Sequence, residues 1–105
     1  MAQFSVHRNA DATTAEKYPL FIDIQDDLLS SLATRIVIPL TRPGSQSYDI
    51  LWTLVPELTI DGERYVLLAP QLTHLKAIEL GPAVAKLGHE RHTVLAAVEM
   101  LFRGL

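Results

Sequence analysis

Hydrophobic positions crowd the end of the chain, where residues 94–105 predict a helix that is apolar around most of its circumference. With about 100° of rotation per residue, the polar positions form only a narrow stripe on this helix. The stripe consists of His92, Ala96, Glu99 and Arg103. The apolar remainder consists of Val94, Leu95, Ala97, Val98, Met100, Leu101, Phe102 and Leu105. So broad an apolar surface has to be buried from more than one direction.

The breadth of this apolar surface predicts a homodimer. The last segment of a short chain is normally exposed on one side. We therefore expect one flank of the helix to pack on the chain's own sheet and another flank to pack on a second copy. We assign Ala97, Met100 and Leu101 to the contact between the copies. The polar stripe then faces whatever the protein acts on.

The first two thirds of the chain predict short β-strands. Residues 3–7 and 20–25 alternate between apolar and polar side chains, the pattern of a strand with one buried face. Residues 35–40 are almost continuously apolar and predict a buried strand, whose end is marked by Pro39. Residues 9–17 are polar, have no hydrophobic anchor and predict a mobile loop.

A hairpin is predicted at Asp61-Gly62, which separates two β-rich segments at residues 58–60 and 63–68. A tight type I′ turn needs two residues with positive φ, and an Asp-Gly pair meets that need. One more strand is predicted at residues 75–80, and Gly81-Pro82 is expected to end it.

After this break, Pro82 is expected to open a short helical turn as far as Lys86, and the final helix is expected to start at Gly88. The predicted fold is mainly β with a C-terminal α-helix. Its five or six short antiparallel strands are typical of a small barrel or a strongly twisted sheet.

The composition narrows the class of protein. A length of 105 residues predicts one domain over residues 1–105, and 49% hydrophobic residues exclude a disordered chain. A net charge of −3 argues against a broad basic surface for nucleic acid, and the lack of cysteine excludes disulfides and thiolate metal sites. No signal-peptide pattern and no membrane-spanning apolar run are present, so we expect a cytoplasmic protein without a membrane partner.

The segment His89-Glu90-Arg91-His92 is similar to helical zinc motifs, but its spacing differs. Those motifs place two histidines four residues apart on one helix face, whereas His89 and His92 are three apart and have no third ligand nearby in the sequence. A polar first helical turn explains the segment better, because Glu90 then lies near the positive end of the helix dipole. We predict no metal and no cofactor.

Asp23, Asp26 and Asp27 form an acidic cluster at the end of a predicted strand. Paired carboxylates can perform acid–base chemistry or hold Mg²⁺. Aspartates in such a segment more often accept hydrogen bonds from nearby backbone N–H groups in a solvated turn, and we favour that interpretation.

Four cationic residues could line an RNA groove on a small barrel: Arg8, Lys17, Arg35 and Arg42. An endoribonuclease would use such a cation at the scissile phosphate. The sequence shows no nucleophile–base constellation and no glycine-rich phosphate loop, so no catalytic residue is assigned. Tyr48 and Trp52 are interpreted as the cap of a small core rather than as a base-stacking platform.

Leu28 and Leu29 are adjacent in a short predicted turn. Two neighbouring side chains in a tight turn cannot both point inward, so we expect one of them to be exposed. Close to an apolar terminal helix, an exposed leucine would add to one interaction patch.

Taken in order, these segments resemble the CcdB family of toxins from toxin–antitoxin systems. The resemblance rests on Gln3-Phe4, LFIDIQ at 20–25, DLL at 27–29, RIVIPL at 35–40, Pro56 before the hairpin and LFRGL at 101–105. It covers essentially the whole chain at similar spacing. A distinctive mark of the family is its carboxyl-terminal motif, in which an aromatic residue, any one residue, glycine and an aliphatic residue follow one another.

The resemblance implies a small SH3-like barrel of the CcdB and MazF type with a C-terminal helix, assembled as a symmetric homodimer. Members bind the A subunit of DNA gyrase and trap the enzyme while DNA is cleaved, and they are not enzymes themselves. A CcdA antitoxin neutralises them, and the two proteins together repress their own operon, so DNA is contacted only through the antitoxin complex. The positions that match the gyrase-contact motif are Leu28, Leu29, Glu99, Phe102, Arg103, Gly104 and Leu105.

Two of these positions differ from the best-known members, which carry Trp at the position of Arg103 and Asn at the position of Glu99. Glu99 lies four residues before Arg103, the favourable orientation for a helical ion pair worth about 0.3–0.5 kcal/mol. The two side chains are therefore predicted to neutralise each other. Two alternatives to a gyrase poison stay open: a MazF-like endoribonuclease toxin, and a degenerate copy that binds an antitoxin but not gyrase.

Overall fold

The computed structural model describes residues 2–29, 31–44 and 55–104. These residues form antiparallel strands and a C-terminal helix, which confirms the predicted fold class. The elements are β1 (Ser5–Asn9), β2 (Leu20–Asp23), β3 (Thr34–Thr41), β4 (Glu57–Ile60), β5 (Glu63–Leu67), β6 (Thr73–Lys76), β7 (Leu80–Lys86) and α1 (Arg91–Arg103). Single 3-10 turns lie at Asp27–Leu29, Ala69–Gln71, Ala77–Glu79 and Gly88–Glu90.

All of these strands belong to one antiparallel sheet, which curls into half a barrel. The strand order is β4-β5-β3-β2-β1-β7, and β6 also pairs with β3. The long strand β3 has room for both neighbours, because residues 34–37 pair with β6 whereas Leu40 and Thr41 pair with β5. The described sheet therefore has seven strands, against the five or six expected.

The hairpin between β4 and β5 forms where the sequence predicts it. Asp61 and Gly62 have φ values of 51° and 81°, as a type I′ turn requires. Ile60 pairs directly with Glu63 across this turn. The register of the hairpin is thus set by two residues that are adjacent in sequence.

The predicted break at Gly81-Pro82 is wrong, since both residues lie inside β7. Proline is tolerated there because β7 is the outermost strand on its side of the sheet and its register with β1 shifts in this region. A Cβ atom on Gly81 would lie 2.8 Å from the carbonyl oxygen of Arg8, so the close approach of the two strands requires glycine. Pairing with β1 therefore overrides the local tendency to turn.

Strand β2 is buried on both faces, although its sequence alternates. Leu20 and Ile22 face the main core, whereas Phe21 packs with Val37 and Leu80 in a second cluster on the other side of the sheet. The face of β2 that carries Phe21 and Asp23 is therefore also enclosed.

The main core lies between the sheet and α1, whose side chains Val94 and Ala97 are fully buried in it. Leu101 is partly buried against the same cluster, and Met100 is half-exposed. Ala97 is thus covered by its own chain, whereas Met100 keeps part of its side chain on the surface. Among the described residues, no helix is long and apolar enough to cross a membrane.

Candidate functional site

The polar stripe of α1 lies on the surface along its whole length. His92, Ala96, Glu99 and Arg103 are all exposed, as the periodicity predicts. Glu99 and Arg103 form the expected ion pair, and the Arg103 side chain stays 75% exposed. Arg103 also occupies the last turn of the helix, where the dipole favours a cation. At this exposure the pair contributes about 0.5 kcal/mol or less, so its main effect is to leave the stripe without net charge.

A groove of about 350 Å³ lies beside this stripe, at the end of the helix. It is lined by Ala96, Glu99, Met100, Arg103 and Gly104. We call these five residues the tail groove. An apolar thioether between two opposite charges can accept a side chain of a protein partner. Its lining residues include no hydroxyl, thiol or imidazole side chain.

Gly104 ends the helix and shapes the mouth of the tail groove. Its φ is +72°, and its N–H donates a hydrogen bond to the carbonyl oxygen of Met100 at 2.9 Å. With ψ at −159°, this extended backbone with positive φ is adopted almost only by glycine, which has no Cβ. A Cβ on Gly104 would meet nothing within 4 Å, so the space beyond it is open to a partner.

Three large apolar side chains assigned to gyrase binding are exposed. Phe102 is 79% exposed, Leu28 is 91% exposed and Leu29 is 48% exposed. The two leucines sit on the 3-10 turn, where Asp26 accepts hydrogen bonds from both of their N–H groups, at 2.8 and 2.9 Å. Within one chain they do not line the tail groove. Leu105, Tyr48 and Trp52 lie outside the described residues.

The acidic cluster separates into two environments. Asp26 and Asp27 are exposed in the turn after β2, where Asp26 Oδ1 accepts the Leu28 N–H at 2.8 Å, as the solvated-turn interpretation predicts. Asp27 accepts the N–H of Gln3, 24 residues away in the chain, at 2.6 Å. For Asp23 that interpretation is wrong, because its side chain is fully buried. It accepts hydrogen bonds from the Arg35 Nε at 2.9 Å and from the Gln25 backbone N–H at 3.0 Å. The buried cluster is a structural ion pair.

This ion pair removes Arg35 from the set of cations that could line an RNA groove. The side chain is only 1% exposed, and its Nη2 lies 2.7 Å from the Asp23 carboxylate. Arg42 is held in a second pair, since its Nη1 lies 2.9 Å from the Glu63 carboxylate, which also accepts the Tyr65 hydroxyl at 3.0 Å. The hydrogen bond from Arg42 lowers the pKa of Glu63.

The remaining two cations, Arg8 and Lys17, are exposed.

The histidine segment divides between the turn at Gly88–Glu90 and the first turn of α1. Within the described part of the chain, no three His, Asp or Glu side chains come together in a way that could hold a metal ion.

A second pocket, of about 380 Å³, was not predicted from the sequence. It is lined by Asn9, Ala10, Asp11, Thr14, Phe21, Leu75 and Glu79. The polar loop at its rim is organised by side-chain hydrogen bonds, in which Asp11 accepts the Thr13 N–H at 2.9 Å and the Thr13 hydroxyl at 2.6 Å. The spacing Asn-x-Asp-x-Thr is the sequence signal for such turns and could have identified an ordered loop.

Comparison with protein families gives one finding that bears on the tail groove. The family model described as CcdB protein matches residues 3–104. The match therefore spans every described strand, the helix and all five residues that line the tail groove.

Proposed function

Since this chain belongs to the CcdB family, and is therefore a toxin of a toxin–antitoxin system, we propose that it poisons DNA gyrase by binding the A subunit and trapping the gyrase–DNA cleavage complex. The proposed contact residues are Leu28, Leu29, Glu99, Phe102, Arg103, Gly104 and Leu105. The observation that carries the proposal is the exposed tail, where Phe102, Arg103 and Gly104 follow the last core contact of α1.

The proposed mechanism is inhibition by binding, without a chemical step. Phe102 supplies an exposed aromatic side chain, a residue class that is enriched at the core of protein interfaces. Arg103 supplies a planar guanidinium that can exchange its pairing with Glu99 for a carboxylate or backbone carbonyl of the partner. The exchange costs little because the intramolecular pair is exposed and weak.

We extend the proposal to the partners. The toxin acts in the cytoplasm, a CcdA-like antitoxin neutralises it, and the two proteins together repress their own operon. Contact with DNA runs through the antitoxin, which agrees with the acidic net charge of −3 of this chain.

The direct test is binding of the purified protein to the fragment of gyrase A that contains its dimer cavity, measured by calorimetry. We expect the wild-type protein to bind and Arg103→Ala to weaken binding by about tenfold. Arg64→Ala is the matched control, because Arg64 is also an exposed arginine in an ion pair, with a side chain 71% exposed, but lies on β5. Its affinity should equal that of the wild type.

The double variant Glu99→Asn/Arg103→Trp serves as the comparison with the residues of the best-known members. Binding by this variant and not by the wild-type chain would overturn the proposal in favour of a degenerate copy. Absence of binding by both proteins would also contradict it.

We also propose that the active form is a homodimer held by the Met100 and Leu101 flank of α1. Met100→Lys should weaken self-association by about 100-fold, because it places a charge within an apolar contact. Sedimentation equilibrium measures the effect, and His92→Lys adds the same charge on the exposed stripe as a control. A monomeric wild-type protein would contradict the proposal. Ala97→Glu is expected to unfold the chain, since Ala97 is fully buried in the core.

A further inference from the structure

The pocket beside the loop of residues 9–17 combines an apolar floor with an acidic rim. Phe21 and Leu75 belong to the second hydrophobic cluster and line the pocket from β2 and β6. Asp11 and Glu79 contribute carboxylates, and no basic side chain is among the lining residues. A volume of about 380 Å³ falls within the range in which proteins bind ligands.

Both carboxylates are fixed in place and retain acceptor capacity. Asp11 uses Oδ1 for the Thr13 hydrogen bonds, which lower its pKa and keep it ionised at neutral pH. Glu79 uses Oε2 for the backbone N–H of Lys76 at 3.3 Å. Both carboxylates are exposed, so each can accept a further hydrogen bond from a ligand. Two carboxylates over an aromatic and an aliphatic side chain are complementary to a guanidinium, which can bind carboxylates and stack on a ring.

The neighbouring strand edge indicates that this guanidinium belongs to a polypeptide. Among the described strands, β6 pairs with β3 alone. Ile36 of β3 points both backbone groups away from β6, because its N–H donates to Gln25 Oε1 at 3.1 Å and its carbonyl accepts the Ile24 N–H at 3.0 Å. The opposite residue, His74, must then present its backbone groups on the outer edge of β6. An extended segment can pair with such an edge.

We propose that this pocket binds an arginine side chain of an extended polypeptide segment of a partner protein, which pairs with the outer edge of β6. The arginine lies between Asp11 and Glu79, over Phe21 and Leu75, whereas its immediate neighbours in the segment point to the other face of the sheet. The site is separate from the tail groove and shares no lining residue with it. The proposal therefore does not depend on gyrase binding.

The test is an NMR titration of the full-length protein with a capped peptide of sequence Thr-Val-Arg-Val-Thr. We expect shifts at Phe21, at the Leu75 methyl groups and at the His74 amide. The same peptide with citrulline in place of arginine keeps the shape and removes the charge, and it should bind about tenfold more weakly. Glu79→Gln should weaken binding of the arginine peptide to a similar degree. It preserves an acceptor for the Lys76 N–H, so the fold should be retained.

Glu16→Gln is the matched control variant, since Glu16 is an exposed acid in the same loop but does not line the pocket. This variant should bind the arginine peptide as the wild type does. Equal binding of the citrulline and arginine peptides, or of the Glu79→Gln and wild-type proteins, would overturn the proposal. Absence of shifts at Leu75 and His74 would do the same. Binding of N-acetyl-arginine amide as tight as that of the peptide would indicate a small-molecule site and would also overturn it.

Discussion

Removal of Arg103, Gly104 and Leu105 is expected to abolish growth inhibition and to leave the protein folded. Arg103 and Gly104 are exposed, and their main contacts are the surface ion pair with Glu99 and the hydrogen bond to Met100. Losing these contacts should lower the free energy of unfolding by about 1 kcal/mol or less. The tail groove loses two of its lining residues, so affinity for gyrase A should fall by about 100-fold or more.

Growth after induction measures toxicity, and denaturant unfolding of the same protein measures stability. Arg64→Ala is the control, because it also removes an exposed, paired arginine and should leave both quantities unchanged. A truncated protein that remains as toxic as the wild type would show that the tail is not the inhibitory surface.

Asp23→Ala is expected to cause the largest loss of stability, about 3–5 kcal/mol in the free energy of unfolding. The variant leaves the Arg35 guanidinium buried without its counter-charge, since Arg35 is only 1% exposed. Within the part of the chain that the structure describes, the buried Arg35 Nη1 has no hydrogen-bond partner, and the guanidinium is paired with Asp23. Urea unfolding followed by circular dichroism measures the change.

The double variant Asp23→Leu/Arg35→Met separates the cost of an unpaired charge from the value of the pair. It removes both charges from the interior, so it should recover about 2 kcal/mol or more of the loss. Glu57→Ala is the control, because it breaks the ion pair with Arg64, whose side chain is exposed. It should lower the free energy of unfolding by about 1 kcal/mol or less. A double variant no more stable than Asp23→Ala would contradict the explanation by charge burial.

The sequence was most informative where the signal is local. Asp61-Gly62 predicts its hairpin because two adjacent residues supply the positive φ angles that the turn needs. Glu99 and Arg103 predict their ion pair because one helical turn places them together. The same reasoning failed at Gly81-Pro82, where pairing with β1 keeps both residues in a strand.

Asp23 and Arg35 show why part of the structure could not be predicted. They lie twelve residues apart, and they meet only because β2 and β3 pair with Asp23 opposite Val37, which puts Arg35 diagonally across on the same face. A register shift of one residue would separate them. Tertiary packing also decides that both side chains are enclosed, with exposed fractions of 0% and 1%.

The sequence by itself determined the fold class, the family and the polar stripe of the last helix, because periodicity and motif spacing are properties of neighbouring residues. Tertiary structure decided which flank of that helix is enclosed, and it covered Ala97 while leaving Phe102 exposed. It also assembled the pocket of Asp11, Phe21, Leu75 and Glu79, whose members are separated by up to 68 residues in the chain. Such groups come together only through strand pairing and packing, and these depend on interactions that no local segment contains.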